Sequence, residues 1–157
     1  PDDAPDDALP QDAVTRFQRL ATLQLDVPVD RYPSTRVALV QAQPETGRRH
    51  QIRRHLKHLA HPIIGDATHG KGAHNRWWAE PLGQQRLWLH ACRLAFVHPF
   101  SSQSVAITSD WRDPALNADW CQLQEDWPWQ FEPTRTALSE ADATAPQVIA
   151  DGSNPAA

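Results

Sequence analysis

The chain has 157 residues, 40% of them hydrophobic, with 14 prolines, seven tryptophans, two cysteines and a formal net charge of -4. That length supports one ordinary domain with a real core. No apolar run is long enough for a membrane span or shaped like a signal peptide, and Cys92 and Cys121 show neither a CxxC spacing nor a paired framework, so they are expected to be buried free thiols in a reducing, cytoplasmic compartment.

The opening PDDAPDDALPQD has no hydrophobic period and reads as a disordered acidic segment over residues 1–12. It lacks an initial methionine, which suggests a processed chain, a subclone or a fragment. The domain is expected over residues 13–131. In VTRFQRLATLQLDV, alternating apolar residues predict a strand with one apolar face, ended by Pro28. RYPSTRVALVQAQPETG predicts a second strand through Val37, Leu39 and Val40, turning at Pro44 and Gly47.

A basic helix follows. Ile52, Leu56, Leu59 and Ala60 share one face, with His50, Arg54, Lys57 and His61 opposite. Pro62 cannot continue the helix, which places its end at His61. Arg53 falls on the boundary between the faces and is expected to be half-buried. Its planar fork suits a carboxylate or phosphate, with a structural ion pair as the alternative. Ile63 and Ile64 then predict a short buried strand or a turn, and Gly65 to Gly72 a loop open to close backbone approach.

Arg86 to His98 reads as a long strand, Pro99 and Ser101 to Gln103 as a turn, and Ser104 to Thr108 as its hairpin partner. Pro114 to Leu123 predicts a closing helix with Leu116, Trp120 and Leu123 on one face. Residues 132–157 are polar and acidic and read as a disordered tail.

Charge is segregated along the chain. From Arg31 to Arg93 there are eleven Lys or Arg against three acidic residues, whereas both flanks are acidic. The excess implies an anionic partner, a solvated charge run being the alternative. His50, His55, His58 and His61 match no zinc spacing, which leaves partner-facing or structural roles ahead of a metal. Trp77 and Trp78 can stack on bases or cover a sheet edge.

Gly47, Arg48, His50, Gln51, Ile52, Arg53, His55 and Leu56, followed by Pro62, Ile63, Gly65, Asp66 and Gly70, resemble the third block of RluA-type pseudouridine synthases. Leu89, His90, Ala91, Leu94, Phe96, His98 and Pro99 are similar to that family's late strand. The doubled Arg53 and Arg54, the phrase HPIIGD and the run HGKGAHNR look most like the branch that modifies transfer RNA.

The resemblance implies an α+β fold, a mixed, mainly antiparallel sheet with flanking helices, of which this chain holds the C-terminal part. It implies isomerisation of uridine to pseudouridine in RNA, with no cofactor and no metal. The partner is RNA, with Arg48, Arg49, His50, Gln51, Arg54, Lys57, Lys71 and Arg76 as its contacts. Arg53 takes the catalytic role of pairing with an aspartate in an HRLD-type motif, and the family works on a base flipped from its stack. No HRLD occurs in these residues, and Tyr32, the single tyrosine, sits in no matching motif. Asp66 is expected to be a turn residue. The chain is therefore expected to be half an active site, either of a synthase whose N-terminal half is missing or of a non-catalytic RNA-binding remnant. A metal-binding module is the third alternative. Arg53 is expected to lack a carboxylate within the chain, and the sheet to show open apolar edges.

Overall fold

The computed structural model describes residues 11–133, so the acidic opening (1–10) and the polar tail from 134 onward lie outside the described residues. The first two strands form where alternation is strongest. β1 (Thr15–Leu25) and β2 (Thr35–Pro44) pair antiparallel from Thr15 with Pro44 to Leu25 with Thr35, with a register shift between Arg19 and Ala21. At that shift the Leu20 carbonyl accepts from the Glu132 amide at 2.8 Å, beside β5 (Gln130–Phe131), which pairs with Ala21 and Thr22. The sheet order is thus β2-β1-β5. A separate hairpin joins β3 (Arg93–Val97) to β4 (Ser104–Thr108). Among the described residues every pairing is antiparallel, and with three helices the fold is α+β, as expected.

α1 (Gln51–His58) stops three residues before the expected His61. Ala60 takes a left-handed φ of 62°, which lets its amide reach the Lys57 carbonyl and the His61 amide reach the Leu56 carbonyl at 2.8 Å. These two bonds satisfy the last carbonyls of the helix before Pro62 is reached. Leu59 and Ala60 accordingly leave the apolar face and are exposed, while Ile52 and Leu56 stay half-buried.

α2 (Gly72–Ala79) was not foreseen from the sequence. Its Trp78 is 2% exposed and packs against Trp77 and Trp127 at ring centroids of 4.7 and 5.4 Å. Trp78 therefore belongs to the core and is not a base-stacking platform, while Trp77 is half-buried. Ile63 and Ile64 form a turn.

The expected long strand from Arg86 to His98 shrinks to β3. Its first half is interrupted where the Leu89 amide turns back to the Leu87 carbonyl at 2.9 Å, a three-residue turn that breaks any ladder. Only the Trp88 amide reaches across, to the Ile64 carbonyl. α3 (Pro114–Glu125) starts as expected, with the Asp113 carboxylate accepting from the Ala115 amide and proline in the first turn. Its backbone leaves helical geometry at Asn117, so Leu116 turns outward at 69% exposure while Trp120 stays buried among Trp88, Trp111 and His90.

Cys92 and Cys121 are free thiols, but half-exposed rather than buried. Both faces of the β3–β4 hairpin are open, leaving Leu94, Val97, Phe100 and Ile107 largely exposed. Among the described residues β2 has no strand on its outer side, so the sheet has an open edge.

Candidate active site and nucleic-acid interface

The site begins where β2 delivers the chain to α1. Gln51 carries this junction. Its side-chain oxygen accepts from the Thr46 hydroxyl at 2.8 Å and the Arg48 amide at 3.0 Å, and its nitrogen donates to the Val14 carbonyl and the Thr15 hydroxyl, both at 2.9 Å. At 6% exposure, with its donors and acceptors spent, Gln51 ties the helix to the start of β1. This corrects its expected place among the RNA contacts, since a buried, satisfied amide has no group to offer. Immediately before it, His50 adopts a left-handed φ of 55° at the helix start. Its Nδ1 stands 3.2 Å from Nε2 of His69, which is 5% exposed.

One turn on, Arg53 reaches the glycine loop. Its Nε donates to Oδ2 of Asp66 and one Nη to Oδ1, each at 2.7 Å. The expectation that Arg53 finds no carboxylate within the chain is thereby overturned: the aspartate thirteen residues on supplies one. Asp66 is also the turn residue expected of it, accepting the Thr68 and His69 amides at Oδ1. Its backbone carbonyl accepts the Gly70 amide and the Asn75 side-chain nitrogen, while the Asn75 oxygen accepts the Gly65 amide. A Cβ at Gly70 would strike the Asp66 carbonyl and sit 2.9 Å from the Asn75 nitrogen, so only glycine closes this loop. The Arg53 hydrogen bonds, opposed by burial and aided by the His69 and Thr68 amides, hold the Asp66 carboxyl well below the usual carboxylate range. Arg53 is raised in turn, first by its hydrogen bond to Asp66.

This side-on grip uses Nε and one Nη of Arg53, whose side chain keeps 18% of its surface. The residue also lines a cleft of about 200 Å³ with Thr46, Gly47, His50, Ile52 and Leu89. Leu89 brings the late-strand block against the third block. Arg48 lines the cleft as well, and Arg48, Arg49, Arg54, Lys57, Lys71 and Arg76 are all exposed. None of them enters the four ion pairs found among the described residues. Also among those residues, no group of three or more His, Cys, Asp or Glu is placed to hold a metal.

A family model described as RNA pseudouridylate synthase matches residues 7–58, covering β1, β2 and α1. The tRNA pseudouridine synthase C of Salmonella typhi is 46% identical over 127 residues, 81% of this chain. The chain belongs to the RNA pseudouridylate synthase family. Within it, further relatives of the same name come from Pasteurella multocida, 46% identical over 82% of the chain, and Vibrio cholerae serotype O1, 43% identical over 76%. The chain spans about half the length of these curated synthases, with 47%, 51% and 47% of them covered respectively.

Three participants in this site escaped sequence reasoning. The Arg53–Asp66 partnership and the Asn75 brace are non-local, and no spacing rule announces them. His69 gave no signal beyond its place in the glycine loop.

Proposed function

We propose that this chain carries the arginine-bearing and RNA-facing part of a pseudouridine synthase acting on transfer RNA in the cytoplasm. The supporting observation is Arg53, pinned by Asp66 and lining a cleft together with Arg48, in a segment rich in exposed cations. In this reading the nucleophilic aspartate comes from a segment outside these 157 residues. It approaches the cleft, where the second Nη of Arg53 remains to receive it and to keep it ionised and oriented. The uridine glycosidic bond between C1' and N1 breaks, the sugar rejoins the base at C5, C5 gives up its hydrogen as a proton and N1 takes one up. A fixed arginine contributes by holding the reacting carboxylate in one geometry. The exposed β3–β4 hairpin, with Leu94, Val97 and Ile107 uncovered, and the open edge of β2 fit the docking of that other segment.

The competing reading is a non-catalytic RNA-binding remnant, favoured by Asp66 already filling the side-on slot of Arg53.

Binding is tested by titrating transfer RNA at several salt concentrations. Log affinity is expected to fall linearly with log salt as bound phosphates release counterions. Arg54→Glu or Lys57→Glu should weaken binding evenly across sequences, because these exposed side chains meet backbone rather than base edges. A flat salt response would remove the RNA-facing reading.

A further inference from the structure

The connection between β1 and β2 folds back on itself. Val29 and Tyr32 exchange two backbone hydrogen bonds of 3.1 Å across a tip at Asp30 and Arg31, and Val29, 4% exposed, anchors the fold-back in the core. Asp30 takes the left-handed φ of 57° that this tip requires, a conformation aspartate tolerates better than most residues. The tip presents Tyr32 to two cations from different parts of the chain. The Arg31 guanidinium lies 5.3 Å from the ring centroid and donates to the phenolic oxygen at 3.2 Å. Lys71 Nζ, from the glycine loop, lies 5.3 Å from the same centroid. His74 of α2 closes the group with its ring centroid 6.0 Å away.

Sharing one ring, the two cations stand no more than twice 5.3 Å apart. Neither enters an ion pair among the described residues, Asp30 included. Both are exposed. Two exposed like charges around one ring add their fields at the tip, and the aromatic face neutralises neither, so a single anion can answer both. The tyrosine hydroxyl, pulled below its ordinary value first by the Arg31 hydrogen bond and then by Lys71, adds a polarised donor.

We infer that Arg31, Tyr32 and Lys71 form a phosphate clamp that holds one phosphodiester of the RNA backbone, separate from the exposed face of α1. The inference rests on the RNA-facing reading above and adds the β1–β2 tip to it. Lys71 follows the loop that Asp66 and Asn75 lock in place, so the backbone that carries it is tied to the loop that Arg53 grips. It fixes the register of the RNA across the cleft rather than its sequence.

The test uses the full chain and its Arg31→Ala, Lys71→Ala, Arg31→Ala/Lys71→Ala and Tyr32→Ala variants. Transfer RNA affinity is read against salt, and melting temperature is read alongside. One phosphate held by both cations predicts that the double variant lowers the slope of log affinity against log salt by about one, and that neither single variant loses more than that. Tyr32→Ala should match them, and Tyr32→Phe should keep most of the slope. An unchanged slope in the double variant, with or without a lower melting temperature, overturns the clamp in favour of a structural cluster. A loss of about two in the double variant overturns the shared phosphate. A wild-type chain that binds no transfer RNA contradicts the proposed function itself, whereas steep wild-type binding with insensitive variants contradicts only the clamp.

Discussion

Arg53 grips Asp66 side-on, through two hydrogen bonds of 2.7 Å, across thirteen residues of chain. The Asp66 side chain is fully buried and that of Arg53 is 18% exposed, so the pair joins helix to loop largely out of water. Removing one partner of such a pair strands the other charge. Asp66→Ala should cost about 3 kcal/mol of unfolding free energy, the lower end for buried pairs because Arg53 keeps some solvent. Acid denaturation carries the same information. The folded carboxyl lies below its ordinary 3.8, so its stabilisation is complete above that pH and drains away as pH falls beneath it. Urea melts of wild type and Asp66→Asn across pH 2 to 7 should therefore converge toward the acid end, whereas parallel curves would show that the ion pair contributes nothing.

Ala60 should be improved by glycine. It holds a left-handed φ of 62° at the end of α1, where a Cβ is penalised and glycine is not. Ala60→Gly is expected to gain about 1 kcal/mol, seen as a rise of about 4 °C in melting temperature. A fall would show that the unfolded chain's gain in freedom outweighs the relief.

Gln51 separates structural from RNA-contacting roles. Its four hydrogen bonds join the helix start to β1 and the preceding turn. Gln51→Ala leaves part-buried partners unsatisfied and should cost about 1–2 kcal/mol. At a temperature where the variant remains folded, its salt slope for transfer RNA should equal that of wild type. An altered slope with unaltered stability would return Gln51 to the interface.

The sequence was most legible where period and punctuation agreed. Alternation located β1 and β2, the turn residues framed β4, and Pro114 marked the start of α3. The helical wheel places Arg53 at the boundary of the buried face, where its side chain is found 18% exposed. The failures have local causes. An alanine, rather than the usual glycine, ends α1, so Pro62 was the only visible stop signal. α2 begins at Gly72 inside a glycine-rich run and carries two tryptophans, which together resemble a loop leading into a strand. From Arg86 to His98 the apolar density is high throughout, and nothing in it reveals the three-residue turn at Leu87 to Leu89. Gln51 was drawn into the interface by its cationic neighbours, because burial of an amide depends on partners far along the chain, here Val14 and Thr15.

Tritium release from uridine-labelled transfer RNA decides whether Arg53 serves catalysis. The chain is assayed alone and then fused to the part of the Salmonella typhi synthase that the match does not cover. The fusion should form pseudouridine, and Arg53→Ala within it should abolish turnover while leaving transfer RNA affinity nearly unchanged. The chain alone should release no tritium. Turnover by the chain alone, or a fusion whose activity survives Arg53→Ala, would contradict the account and make Asp66 the first residue to replace.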